Sequence, residues 1–483
     1  MFLIPESRAA RIALAAGLLG SGLALLGVGR PWLTAVLLGS AFSLWCLLIV
    51  RRHGLAQGRR HLFSPPVLMS AYMFLGIGVR GLTTLGGGPS KIQGAVDPTS
   101  PDFQWLYAEV FLFAFVGLIA LLAGDALAAR LLPAPAAPVR APASTRPGRA
   151  VAVGVGLGLL AAAVLVVRLG AAIIRDPAFV ATSGTFGLFW LFPLLSAPMY
   201  GLAFALGESY RRGEPTPRHL LAFILVAGLV VYVLTSSKAA VLNSAVLLLV
   251  VRHFLVRPVQ LKTIAFAALL FIVGLPVFYL HRTIGLSLDL IRTVGADTLW
   301  RGFGILLNRS YLADSFAAVL HYTPQPYEYQ LGRNWLEIFY FWIPRGIWPG
   351  KPVSYGLIFP QTYLSSLDES PGSFFSATLL GDGYLNFGPL GVPLLFLLLG
   401  LGLGLWYRYL TQRVVSTTRV MIYAASVYWI AISPEQSLEV ALELALSYVG
   451  IAAVVATLGS SAFWRASPAP TPAVARAGGP PDG

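Results

Sequence analysis

Charge and cysteine are what this sequence has least of. Only 11% of its 483 residues are charged, where soluble domains carry about 25%. With 57% hydrophobic residues, the composition excludes a water-soluble globule and predicts a chain whose solvent is a bilayer. The single cysteine, Cys46, lies in an apolar run, which excludes an internal disulfide framework and a thiolate metal site. HExxH, DxD-like pairs, GxxxxGKS and GxSxG are all missing. The sequence therefore carries no signature of a nucleotide-dependent or metal-hydrolase mechanism, and no cofactor is expected. Of the six histidines, His53, His61, His219 and His253 read as solvated loop or interface residues, and His281 and His321 have no ligand spacing.

What the chain does have is apolar runs and basic loops. Windows of about 19 apolar residues start near 12, 32, 62, 104, 151, 186, 219, 239, 263, 378, 419 and 438. These predict an all-α polytopic membrane protein of about twelve spans, the one near 186 interrupted by Pro193 and Pro198. The net charge of +14 is distributed unevenly. One set of loops holds most of the 34 Lys and Arg, including Arg51, Arg52, Arg59, Arg60, Arg130, Arg140, Arg211, Arg252, Arg408 and Arg413. The other short loops hold only Arg30, Arg80, Lys91, Arg168, Arg175 and Lys238. The bias places both termini in the cytoplasm and the cations against anionic lipid, with no nucleic acid as partner. The first apolar run is followed at once by a second, so it reads as a retained helix and not a cleaved leader. By composition, Pro133–Pro147 reads as a flexible cytoplasmic linker and the tail after Trp464 as disordered.

The same alternation divides the chain into spans 1–9 (residues 1–280), one large outer loop (281–376), three last spans (377–464) and the tail (465–483). The outer loop is rich in aromatics and carries Arg282, Arg292, Arg301, Arg309, Arg333, Arg345 and Lys351. Within it Leu299–Leu320 reads as one amphipathic helix, either lying at the interface with its arginines on lipid phosphates or dipping into the protein as a cavity wall. The segment IPRGIWPGKPVSYG follows. Pro344, Pro349 and Pro352 forbid a continuous helix there, and Trp342, Trp348 and Tyr355 suit the headgroup level. Arg345 supplies a planar fork of donors and Lys351 a point charge, both suited to phosphate.

Carboxylates stand beyond this segment. Asp382, in GDGYLNFGPLG, reads either as an acid at a helix N-terminus or as a catalytic or acceptor-binding group. Glu435, Glu439 and Glu443 recur every four residues and are expected on one helix face. Glu443 falls inside the membrane, facing a cavity or a loop cation. Lys238, in LTSSKAA, sits in a tight outer turn between two spans.

This layout, with FWIPRGIWPGKP, GDGYLNFGPLG and TSSK, resembles the Wzy-type O-antigen polymerases, which are GT-C-like glycosyltransferases of the bacterial inner membrane. The resemblance implies transfer of a growing glycan from undecaprenyl pyrophosphate to a lipid-linked repeat unit on the outer leaflet. It implies a donor and an acceptor that are both undecaprenyl-pyrophosphate-linked oligosaccharides, with a chain-length regulator and a flippase as further partners. Arg345 and Lys351, with Arg282, Arg309 and Lys238, would hold the pyrophosphate. Asp382 or Glu435 would orient or deprotonate the acceptor hydroxyl. Two rivals are an O-antigen ligase, which usually carries a histidine followed by paired glycines where this chain has His321 and YTPQPYEYQLG, and a polyisoprenoid-glycan transporter.

Overall fold

The structure, a computed structural model, describes residues 8–25, 28–52, 61–88, 96–135, 139–141, 147–170, 191–215, 217–235, 238–260, 312–340, 347–352 and 376–460, with isolated residues and fragments between them. These residues are nearly all helical. In chain order the helices are α1 (Arg8–Leu25), α2 (Pro31–Ile49), α3 (Pro65–Met73), α4 (Arg80–Leu85), α5 (Pro101–Leu131) and α6 (Gly148–Leu169). Next come α7 (Leu191–Leu195), α8 (Ala197–Arg211), α9 (Arg218–Thr235), α10 (Lys238–Leu255), α11 (Leu312–Tyr322) and α12 (Glu337–Tyr340). The last four are α13 (Thr378–Phe387), α14 (Gly391–Arg408), α15 (Thr417–Ile432) and α16 (Leu438–Gly459). Proline opens α2, α3 and α5, where its missing N–H is no loss.

Among the described residues, eight helical stretches are long and apolar enough to cross a membrane, and the chain is a multi-pass membrane protein on that ground. They begin at Pro31, Pro65, Pro101, Gly148, Leu191, Arg218, Thr378 and Leu438. The expected spans near 12 and 239 correspond to shorter apolar helices, and most of the one near 263 lies outside the described residues. The stretch near 186 breaks between α7 and α8, with Pro193 and Pro198 flanking the break.

The seam of the bundle is α5 against α14. Gly117 meets Phe396, Gly124 meets Leu397 and Gly400, and Gly404 meets Ala128 and Asp125, so the two helices run in the same direction. A Cβ on Gly400 would stand 2.1 Å from the Leu121 carbonyl oxygen, which only glycine avoids. Basic side chains collect at one end of this seam, with Arg52, Arg130 and Arg408 at the ends of the segments that carry them.

Several expectations are corrected. Arg80 is not a loop cation: it opens α4, after a π-helical turn (Phe74–Val79), and is 3% exposed. His253 is buried, its Nδ1 accepting the Val259 N–H at 3.2 Å, and His61 is half-buried against the Tyr407 hydroxyl at 3.2 Å. Part of the 133–147 linker is tied down, because Val139–Arg140 pairs in parallel with Val414–Val415. Of the expected Leu299–Leu320 helix, the described part is α11, which is buried from Leu312 to Leu320 and so belongs to the protein interior. Residues 299–311 lie outside the described part.

Candidate functional site

The site is built at the end of the bundle opposite the arginines, where α13, α15 and α16 meet the segments from 312 to 352. α13 and α14 form a tight hairpin. Gly391 presses on Gly383 so closely that a Cβ would stand 1.9 Å from the Gly383 carbonyl oxygen. The last carbonyls of α13 have no intrahelical partner. The chain at 330–332 supplies donors instead: Gln330 N–H to Leu385 O at 2.9 Å, Leu331 N–H to Asn386 O at 3.3 Å and Gly332 N–H to Asn386 Oδ1 at 2.6 Å.

Asp382 is the centre of this junction. It lies within α13, not at its N-terminus, and is completely buried. Its Oδ1 accepts from Asn334 Nδ2 at 2.5 Å and Asn386 Nδ2 at 3.0 Å. Its Oδ2 accepts from Trp335 Nε1 at 2.7 Å and from the Leu438 N–H at 2.9 Å. A carboxylate has about four lone-pair sites, so this one is saturated. Leu438 is the first residue of α16, so Asp382 does serve a helix N-terminus, but that of a helix other than its own. It clamps α13, α16 and the turn at 334–336 together.

Other carboxylates surround it. Glu337 opens α12 and is buried, and Glu439 is only 2% exposed. Ser437 Oγ donates to Glu439 Oε1 at 2.5 Å, while Glu439 Oε2 has no hydrogen-bond partner among the described residues. Asn334 Oδ1 is likewise buried without one. Two open acceptors therefore accompany the saturated Asp382. Glu443, one turn along α16, lies within electrostatic range of Glu337 and Lys351. Burial raises the Tyr340 phenol above its ordinary pKa, helped by the charges of Glu337 and Glu439. Glu435 does not share a face with Glu439 and Glu443: it sits on the 3-10 turn Ser433–Glu435 before α16, and the Tyr72 hydroxyl donates to it. α15, where a span was expected near 419, has 16 residues and is not among the eight stretches long and apolar enough to cross a membrane.

The proline-rich segment returns to the same place. Lys351 Nζ donates to the Ile343 carbonyl at 3.2 Å, and the Tyr340 and Trp348 rings meet edge-on with centroids 5.5 Å apart. These contacts close the segment into a loop beside α16. Lys351 is the one expected phosphate ligand whose side chain is described. Arg282, Arg309 and Arg345 lie outside the described residues, and Lys238 is described only as the first residue of α10.

A second network, missed in the sequence, fixes the neighbouring helix. Arg80 Nη2 donates to Asp314 Oδ2 at 2.9 Å, Ser90 Oγ donates to Asp314 Oδ1 at 3.4 Å, and the Tyr107 hydroxyl donates to the same oxygen. It pins α11 to α4 and α5. Among the described residues no group of three or more His, Cys, Asp or Glu side chains is placed to hold a metal ion. No protein-family model, curated protein or solved structure matches the chain.

Proposed function

We propose that this chain is a polysaccharide polymerase of the O-antigen kind, a GT-C-like glycosyltransferase at the outer face of a bacterial inner membrane. Supporting this is one observation: Lys351 and Asp382, which belong to two of the strings on which the resemblance rests, both lie by the N-terminal turns of α16. Trp335 and Asn334 bond Asp382 on one side, and Lys351 approaches Glu443 on the other. Aromatic rings, a cation and the open Glu439 carboxylate oxygen around the start of α16 suit a sugar acceptor and a lipid pyrophosphate.

In this reading the acceptor hydroxyl attacks the anomeric carbon of the donor glycan. The bond from that carbon to the pyrophosphate oxygen breaks, and undecaprenyl pyrophosphate leaves with the electron pair. Lys351, with Arg345, Arg282, Arg309 and Lys238, offsets the charge on the leaving group. The hydroxyl proton passes to a carboxylate. Asp382, with every lone pair engaged, is a positioning residue. Glu439, with Oε2 open, and Glu435 are the candidates to take the proton.

A transporter is the second reading, and a specific observation favours it. Arg80, Asp314, Asp382, Glu208 and Glu439 are ionisable groups buried in the helical bundle, which is where transporters keep theirs. Incubation of the reconstituted protein with a lipid-pyrophosphate-linked repeat unit separates the two. A ladder of longer lipid-linked glycans is the polymerase outcome. Unchanged glycan length with movement of the substrate across the vesicle membrane would overturn it.

A further inference from the structure

At the arginine-rich end, far from the junction around Asp382, the helices leave a cavity of about 370 Å³. That volume is within the usual range of ligand pockets, about 300–1,000 Å³. Its polar wall comes from the ends of three separate segments: Arg52 beyond α2, His61 and Ser64 before α3, and Tyr407 and Arg408 at the end of α14. Its other wall is one face of α5, where Leu122, Ala126 and Ala129 recur at helical spacing.

The charges in the cavity do not cancel. Among the described residues Asp125 is its one carboxylate, and Arg408 Nη2 donates to Asp125 Oδ1 at 3.1 Å and to the Asp125 carbonyl at 3.3 Å. Arg52 is then left over as positive charge. Arg408 also has a donor to spare, since its Nε is buried with no hydrogen-bond partner among the described residues. An unsatisfied buried donor in a cavity wall calls for an acceptor. The Ser64 hydroxyl lines the same space.

We propose that this cavity binds the phosphate of an amphipathic molecule, with Arg52 and Arg408 holding the anion and the α5 face accepting apolar carbon. An anionic phospholipid has this chemistry. The cavity lies at the ends of membrane-crossing helices, the depth at which headgroup phosphates sit. A free phosphate ion would satisfy the arginines but would leave the apolar wall uncovered.

The test uses the full-length protein in phosphatidylcholine nanodiscs with and without phosphatidylglycerol, reading retained lipid by native mass spectrometry and the thermal midpoint. Wild type is expected to retain phosphatidylglycerol selectively and to gain thermal stability with it. Arg52→Gln, which removes the cation not matched by Asp125, and Ala129→Phe, which fills the cavity with charges intact, should each weaken retention about fivefold. Arg51→Gln removes a neighbouring cation that does not line the cavity and should leave retention unchanged. Equal loss from Arg51→Gln and Arg52→Gln would mean general surface attraction and would overturn the site. Unchanged retention in folded Ala129→Phe would do the same. Stabilisation of the protein in phosphatidylcholine by millimolar inorganic phosphate, equal to that from phosphatidylglycerol, would overturn the amphipathic assignment.

Discussion

Asp382 accepts the backbone N–H of Leu438 at 2.9 Å, so a side chain in one membrane helix caps the next but two in chain order. The same carboxylate holds Asn334 and Trp335 of the segment between the two groups of spans. One side chain thereby sets where the non-spanning segment rests on the bundle.

Removing that carboxylate is expected to unseat the segment. Asp382→Ala leaves buried donors without partners, and hydrogen bonds to a charged group contribute about 1.5–3 kcal/mol each. The thermal midpoint of the purified protein should fall markedly, and less for Asp382→Asn, which retains one acceptor oxygen. Cleavage by added protease near Trp335 should rise in parallel. A midpoint equal to wild type in Asp382→Ala would mean the junction forms without its clamp.

Glu439 is expected to behave in the opposite way. Its Oε2 has no partner to lose among the described residues, so Glu439→Gln should fold with little change in midpoint. If Glu439 takes the acceptor proton, polymer formation from a lipid-linked repeat unit should drop by about 10²–10⁴, the usual yield of general acid–base catalysis. Glycan ladders of normal length from folded Glu439→Gln would remove it from that role and leave Glu435.

The Arg80–Asp314 pair is a buried ion pair, 3% and 0% exposed. Deleting one member of a buried pair typically costs about 3–5 kcal/mol. Asp314→Ala should therefore yield far less folded protein by detergent size-exclusion chromatography. The double change Arg80→Met with Asp314→Leu should recover most of it, because two matched apolar side chains need no desolvation. A double variant as poor as the single one would show that Ser90 and Tyr107 also depend on the carboxylate.

Gly391→Ala tests the α13–α14 hairpin. A methyl 1.9 Å from the Gly383 carbonyl oxygen cannot be accommodated without moving the backbone. Overpacking of this kind costs about 1–3 kcal/mol or more. The expected result is a lower midpoint, together with faster cleavage between the segment at 330–336 and α13. Gly402→Ala, in open space on α14, is the control and should be silent.

Eight of the expected spans were readable because a run of about 20 apolar residues has few alternative explanations. Even the break at Pro193 and Pro198 was legible. Arg80 was not, because a lone cation near the end of an apolar run looks like a loop residue. Its partner, Asp314, is 234 positions away, and nothing local marks the pair. Asp382 was singled out as chemistry, but whether it was free or saturated depended on Asn334, Trp335 and Leu438, none of them its neighbour in sequence. The four-residue spacing of Glu435, Glu439 and Glu443 pointed to a single helix. Pro434 sits in the 3-10 turn instead, and α16 begins only at Leu438. The serine at 437, which occupies the N-cap position of α16 and donates to the Glu439 carboxylate instead of capping the backbone, was the one local sign of that boundary.

The parallel run of α5 and α14 has a bearing on how the protein is made. Two helices pointing the same way cannot be neighbours in a simple hairpin, and here most of the chain separates them. As the polypeptide leaves the ribosome, Gly124 enters the bilayer long before Gly400 exists. Until then α5 is without that partner. The central seam therefore closes among the last events of assembly, and a chain that stops short of α14 leaves α5 without the partner that the glycines were shaped to receive.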